Sequence, residues 1–504
     1  MGKKLTKNDF QTLNHKAMHK FDSGDLDGAL EIVNELKHYS PNANAVFLCS
    51  GSLIDIGSST RNIELINEGI GLLKQISYKG LKSERYYYLG NAYYTLFSFN
   101  CVKNPYYHYF NDKSELLLAK KYFFKALKYV EGDLKFFEKK VLKSKILVNI
   151  GNMFDELGRN MDALEYYEKS FQYNPKNALA WGNKGIALER YANLMGHHET
   201  TIYWDAYEAL QKSLSLHPYP KAKQSFETKL KKINEILKPK KPVNRSKLLF
   251  LGKNELDLHN KTFCYNHRLY LNLCNHCQRC KHSLEDAVLP NIKKDESFNL
   301  LGTYFNQIKL DYITARSFLV LSDYNKLDLS VLYDNLELFI LEDEGIDDVD
   351  IQLLKLSFKS FADILDKIGH FLNEYLGLEI KEKEVSFLKV IYEIQMSDNS
   401  VINNKKKNPG LNALFSVYLD LKEGQYNELM ELRNKITHRF IIIKNGVSKE
   451  DSNVMGKNTL QSKNIALANV VRNSIMYLFY FVNLEENNPL AIQASNKNDN
   501  NIGV

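Results

Sequence analysis

Cysteine and tryptophan are scarce in this chain, and long apolar runs are absent. Six cysteines and two tryptophans occur in 504 residues. So few cysteines over that length do not make a secreted disulfide framework, which points to a reducing cytoplasm. No run of about 18 apolar residues is present, so no membrane span is expected. The opening stretch MGKKLTKNDFQTLNHK is polar. It lacks the apolar core of a signal peptide, and the residues after Met-Gly do not support lipidation. Charge of one sign is not extreme either: the formal net charge is +7. That permits contact with nucleic acid without demanding it. An apolar fraction of 44% and a charged fraction of 25% are those of an ordinary soluble globular protein. The length exceeds one compact core, so two or three domains are expected.

What the chain does contain is internal repetition. Gly151 and Gly185 are 34 residues apart, and Leu157-Gly158, Ala163, Tyr167 and Pro175 fall between them. Ala17 and Gly51 are again 34 apart, with Ala29 and Pro41 at matching offsets. Gly90 opens a further unit that continues at Ala119, Tyr122 and Ala126 after an insert around 104–114, and Ala206, Leu210 and Pro218 close a last one. Small residues let two helices approach, an aromatic fills the groove and proline ends the second helix. The pattern resembles the tetratricopeptide repeat (TPR), with five to six helix pairs over 10–235. An α-solenoid of that type implies a protein or peptide partner on its concave face.

Residues 236–247 (ILKPKKPVNRSK) are rich in proline and lysine and are expected to form a linker. A short, turn-rich connector with a small two-stranded element is expected up to residue 295. The helical period then returns, with helices over 297–322, 348–376, 382–396, 409–421, 424–438 and 461–484. The expected organisation is all-α: repeats over 1–235, linker and connector over 236–295, a helical domain over 296–485 and a disordered polar tail over 486–504.

Near the C-terminus stands Arg433-Asn434-Lys435-Ile436-Thr437-His438. Arginine followed by histidine at such a spacing is weak by itself. With 11 arginines and 13 histidines about one chance match is expected, and Arg190 to His197 is another instance, taken as noise. Arg433–His438 differs in that Asn follows Arg directly, the motif ends an amphipathic helix, and the apolar run 440–443 follows. On that helix Asn434 and His438 share a face at i, i+4, with Arg433 one position away. Imidazole titrates in the right range for proton transfer, and guanidinium grips phosphate oxygens in a fork. Those are the groups needed to cleave RNA without a metal. The plainer alternative is structural: Arg433 paired with Glu431 or Glu428, and His438 ending a helix where a cation is favoured.

The segment LRNKITHRF, preceded by helix 354–376 and followed by a closing helix around 471–483, resembles the HEPN superfamily of all-helical nucleotide- and RNA-binding domains. Phe305-Asn306-Gln307-Ile308-Lys309, continuing to Ala315-Arg316, is similar to one bacterial HEPN family that carries TPR repeats in front. The likeness covers about 250–485 plus the repeats. It implies a HEPN helical bundle and a metal-independent endoribonuclease with Arg433, Asn434 and His438 as catalytic residues. It further implies a homodimer in which two such motifs face each other, an RNA substrate, and a role in prokaryotic defence or toxin-type growth arrest. No cofactor is implied for catalysis. The alternatives are a non-catalytic TPR/HEPN interaction scaffold, or a module that binds RNA without cutting it.

Four cysteines cluster within 17 residues, Cys264, Cys274, Cys277 and Cys280, with His259, His267, His276 and His282 among them. Cys-x2-Cys spacing suits a tetrahedral structural zinc site, with His267 or His282 as alternate ligands. No clean second pair follows, so free thiols or a redox-sensitive patch stay open. Lys405, Lys406 and Lys407, on a stretch expected to be a mobile loop, are either weak RNA contacts or a solvated charge run, and the same holds for Arg439. The tyrosines at 86–88, 93–94 and 106–109 are expected to pack rather than to stack on bases.

Overall fold

The small residues of the repeats lie where helices meet. At Gly90 a Cβ would come within 2.6 Å of the Phe123 ring, and at Gly151 within 2.6 Å of the Tyr167 ring. An added methyl group has no room there. The computed structural model describes residues 7–38, 43–76, 81–130, 137–195, 199–238, 252–275, 281–324, 349–444 and 453–487. Five helix pairs come first: α1 (Lys7–Asp22) with α2 (Leu26–His38), α3 (Ala43–Thr60) with α4 (Ile63–Gln75), α5 (Lys82–Lys103) with α6 (Glu115–Val130), α7 (Phe137–Glu156) with α8 (Asn160–Phe171), and α9 (Ala178–Met195) with α10 (Glu199–Ser215). Each packs on its partner and on the next pair, and α11 (Pro220–Leu237) closes the row. Local chemistry sets the ends. The Asn62 side chain accepts from the N–H groups of Glu64 and Leu65 to start α4, and Pro220 opens α11, where no N–H is needed.

The connector differs from expectation. No strand forms among its described residues. It holds α12 (Glu255–Asn266) followed by short 3-10 turns. Asn254 caps α12 by accepting from Asp257 N–H at 2.8 Å. The connector is fastened from both sides: Tyr191 of α9 donates to Leu273 O at 2.5 Å, and Tyr312 donates to Leu269 O at 2.8 Å. Arg316 grips Asp286 through both oxygens at 2.8 and 2.7 Å. Phe305, Ile308 and Arg316, prominent in the sequence, are therefore core and clamp residues.

The C-terminal bundle comprises α13 (Phe298–Asp323), α14 (Val349–Leu376), α15 (Phe387–Met396), α16 (Ser400–Lys405), α17 (Pro409–Lys422), α18 (Asn427–His438) and α19 (Lys457–Asn487). A two-stranded parallel sheet, β1 (Ile442–Lys444) with β2 (Val454–Gly456), sits between α18 and α19 in register Ile443↔Met455. The sheet thus comes after the motif rather than lying in the connector. α16 occupies the stretch expected to be a loop, capped by Asn399, whose side chain accepts from Val401 N–H at 2.8 Å. α19 is long and apolar enough to cross a membrane by length and composition, yet 83% of that window is buried inside the bundle. A helix apolar all round is what a bundle core needs. Its Glu485 and Glu486 are bonded and helical, so the regular structure outlasts the expected start of the tail. Residues 488–504 lie outside the described residues.

Solenoid and bundle share one core, joined by a buried polar network. Asp420 of α17 receives Lys120 of α6 at 2.7 Å and Arg159, just before α8, at 2.5 Å. Arg159 also donates to Asp162 at 2.9 Å, and Tyr477 of α19 donates to the same carboxylate at 2.5 Å. Burial pushes Asp162 upward, but the adjacent Arg159 outweighs it and holds the carboxyl below its ordinary value. Gly158, at φ +78°, brings the solenoid backbone against Pro409, where a Cβ would collide with the Pro409 carbonyl oxygen.

Candidate functional site

α18 starts from the joint just described. The Tyr426 N–H donates to Asp420 O at 3.0 Å, fixing the turn that leads into the helix. Leu429 and Leu432 are buried and seat it on the bundle. That leaves Asn434 and His438 exposed and Arg433 half-buried. His438 ends the helix and Arg439 follows as its C-cap, also exposed. Phe440, next along the chain, is 93% exposed.

The acidic neighbours on α18 do not hold Arg433. Glu431 accepts from Asn427 at 3.0 Å, and Glu428 pairs with Lys463 at 2.8 Å. The guanidinium reaches across to α14, where Nη2 donates to Asp363 Oδ1 at 3.3 Å, and Nη1 donates to Asn434 Oδ1 at 3.5 Å. Both contacts are long. Nε is buried with no hydrogen-bond partner among the described residues, as is Thr437 Oγ1. The guanidinium is thus held loosely, with donor capacity to spare.

α14 adds groups that the motif did not disclose. Asp363, Asp366 and His370 follow at i, i+3 and i+7, one stripe of the helix. Burial pushes the Asp366 carboxyl up, opposed by the Phe387 N–H it accepts at 3.0 Å and by Arg433. Lys355, Lys359, Lys367 and Glu374 share the same helix, so spacing alone did not single these three out.

The remaining basic candidates are placed elsewhere. Lys405 pairs with Glu485 at 3.4 Å and lies 5.0 Å from the Tyr375 ring centre. Tyr375 is 12 positions along α14 from Asp363, roughly 18 Å of helix. Lys406 donates to Gln395 O at 3.0 Å and Ser397 O at 2.9 Å, and Lys407 donates to Asn404 at 3.3 Å. The structure does not bring them to Arg433. Arg190, of the chance match, pairs with Asp155 inside the solenoid.

Cys277 and Cys280 lie outside the described residues, as does the side chain of His282. Cys264 is buried, donates to Asn260 Oδ1 at 3.4 Å, and burial pushes its thiol up to about 11. Cys274 is buried as well, and His267 packs on Phe263 with ring centres 4.5 Å apart. Among the described residues no three His, Cys, Asp or Glu groups are placed to hold a metal.

Residues 292–485 match the family model of LA2681-like HEPN domains. No curated protein matches the chain.

Proposed function

The chain carries a HEPN domain of the LA2681-like family, and from that premise we propose that it is a metal-independent endoribonuclease with Arg433, Asn434 and His438 as its catalytic residues. HEPN domains are often ribonucleases, which supports a nuclease or RNA-related role for this one. The observation that carries the reading is the end of α18: an exposed imidazole and carboxamide beside a guanidinium with an unpartnered Nε and only long contacts. A phosphodiester offers the short, charge-assisted bonds that Asp363 does not make.

The chemistry rests on the groups present. The guanidinium binds non-bridging phosphate oxygens as negative charge builds on phosphorus. An imidazole takes the 2′-hydroxyl proton, the 2′-oxygen bonds to phosphorus, and the P–O5′ bond breaks. The 5′-oxygen receives a proton, leaving a 2′,3′-cyclic phosphate and a 5′-hydroxyl. Two proton carriers serve this better than one. A second copy facing the first through its bundle supplies another His438, with the 93%-exposed Phe440 and 45%-exposed Ile442 beside it as apolar surface to cover.

A solenoid in front of such a domain suits control by a partner. α5, α7, α9 and α11 line a cleft of about 260 Å3. Carboxamides bridge its floor: Asn149 donates to Asn91 at 2.9 Å and Asn183 to Asn152 at 2.8 Å. A protein or peptide bound there would release or restrain the nuclease, in defence or toxin-type growth arrest. The Asp363 contact favours the rival reading, in which Arg433 is a strut of an interaction scaffold. Expression of the chain beside His438→Ala separates the two. Growth arrest and RNA breakdown with wild type alone support the nuclease; identical growth and intact RNA in both overturn it.

A further inference from the structure

Four tyrosines of the third helix pair form a ladder. Tyr86 and Tyr93 of α5 are seven residues apart, as are Tyr122 and Tyr129 of α6. Seven residues is close to two turns, so each helix presents its two rings in line. The two antiparallel helices interleave them in the order Tyr129, Tyr86, Tyr122, Tyr93. Neighbouring centroids are 5.5, 6.1 and 5.5 Å apart, with planes within 20°, 24° and 7° of parallel. Tyr93 lies two positions from the cleft residue Asn91, so about 200° around α5 from it. None of the four ladder tyrosines lines the cleft, although Phe97, one turn on from Tyr93, does.

Cations border the rings. Lys82 Nζ lies 4.7 Å from the Tyr129 centre, Arg85 4.7 Å from Tyr86, Lys125 5.6 Å from both Tyr86 and Tyr122, and Lys74 5.7 Å from Tyr93. Lys121 and Lys128 add two exposed ammonium groups on α6, whose sequence after Glu115 contains no acid. The nearest carboxylate on α5, Glu84, is taken by Lys139 at 2.5 Å. Packing alone, the role expected from the sequence, does not call for this arrangement: the rings are partly exposed, Tyr129 by 39%, and positive charge gathers on them.

We propose that this strip binds single-stranded RNA. A base has a π-face to stack on the part-exposed Tyr129 ring beside Lys82, and the backbone phosphates find a row of cations with few anions among the described residues to repel them. Cationic groups beside aromatic rings are what sequence-tolerant single-strand binding uses. The site is separate from α18 and holds whether or not the RNA is cut.

The test uses the full chain carrying His438→Ala, so that binding is read without cleavage, and a fluorescent oligouridylate followed by anisotropy as KCl is raised. Lys82→Gln with Lys125→Gln removes two phosphate contacts. The log–log salt slope should fall by about 1.4, with roughly tenfold weaker binding at low salt. Tyr129→Leu should weaken binding severalfold with the slope unchanged, because it removes a stacking face and no charge. Lys381→Gln with Lys383→Gln, on the exposed turn before α15, should change neither. Equal affinity and slope in the strip variants would overturn the proposal. So would displacement by polyglutamate as efficient, charge for charge, as by oligouridylate, since that marks an acidic protein as the partner. Circular dichroism guards against misfolded variants.

Discussion

Arg433 meets one carboxylate at 3.3 Å, and that carboxylate is 44% exposed. A pair so long and so wet contributes little to stability, under about 1 kcal/mol. Arg433→Lys therefore should leave the unfolding midpoint almost unchanged while lowering RNA cleavage roughly tenfold to a hundredfold, because an ammonium cannot supply the fork. Thermal unfolding and initial cleavage rates on the same preparations check this. Asp363→Asn separates strut from competitor: it should raise affinity for RNA by removing a negative charge beside the phosphate site, whereas loss of affinity would mark Asp363 as the group that positions Arg433. At this scale the sequence disclosed one partner set and hid another. Arg433, Asn434 and His438 stand together in the chain, so their likeness to a family was readable. Asp363, Asp366 and His370 come from a helix some 70 residues earlier, and only tertiary packing brings Asp363 and Asp366 beside Arg433. The destinations of Lys405 to Lys407 were hidden for the same reason: Glu485, Gln395 O and Tyr106 are distant in sequence or are backbone.

Helices carry their own signals, and most were legible. The apolar period marks α13, α14 and α17 with ends close to those observed, while the small residues at 34-residue spacing announce the helix pairs around α7 to α9 without fixing their ends. α16 escaped because six residues are too few to show a period; its evidence is the Asn399 cap. The strands escaped because three residues each carry no alternation. The insert between α5 and α6 was visible as an interruption, but not its task. Within it His108 Nε2–H donates to Glu156 O at 2.9 Å, and Phe110 stacks on Phe415 of α17 at 4.5 Å. Burial holds the His108 pKa down to about 4, against the Glu156 carbonyl, which works the other way. The folded protein thus prefers the neutral ring. Its contribution is complete above the ordinary value of 6.5 and is lost as pH falls toward 4. Stability should drop by about 2 kcal/mol between pH 7 and 5 from this group, and His108→Gln should flatten that part of the profile in denaturant titrations. A profile of equal slope in the variant would show that His108 is not the titrating group.

The whole molecule is a helical solenoid fastened to a HEPN bundle by charges inside the joint. Lys120, Arg159, Asp162 and Asp420 are all buried there. Removing one member strands the others, so Asp420→Ala should cost about 3–5 kcal/mol, measured by chemical denaturation. It should also disturb α18, whose first turn hangs on Asp420 O. The all-helical character and the C-terminal place of the bundle were legible from the sequence, since both rest on periodicity. The joint was not, because nothing in the chain announces that Lys120 and Asp420 will meet across 300 positions. The most direct measurement is made on purified protein, wild type beside His438→Ala, incubated with RNA in excess chelator, the new ends being identified by mass spectrometry. Wild type should cut to 2′,3′-cyclic phosphate and 5′-hydroxyl ends at an undiminished rate, and His438→Ala should not cut. Cleavage that needs the metal, or that survives in His438→Ala, would contradict the assignment of Arg433 and His438 as a metal-free nuclease centre.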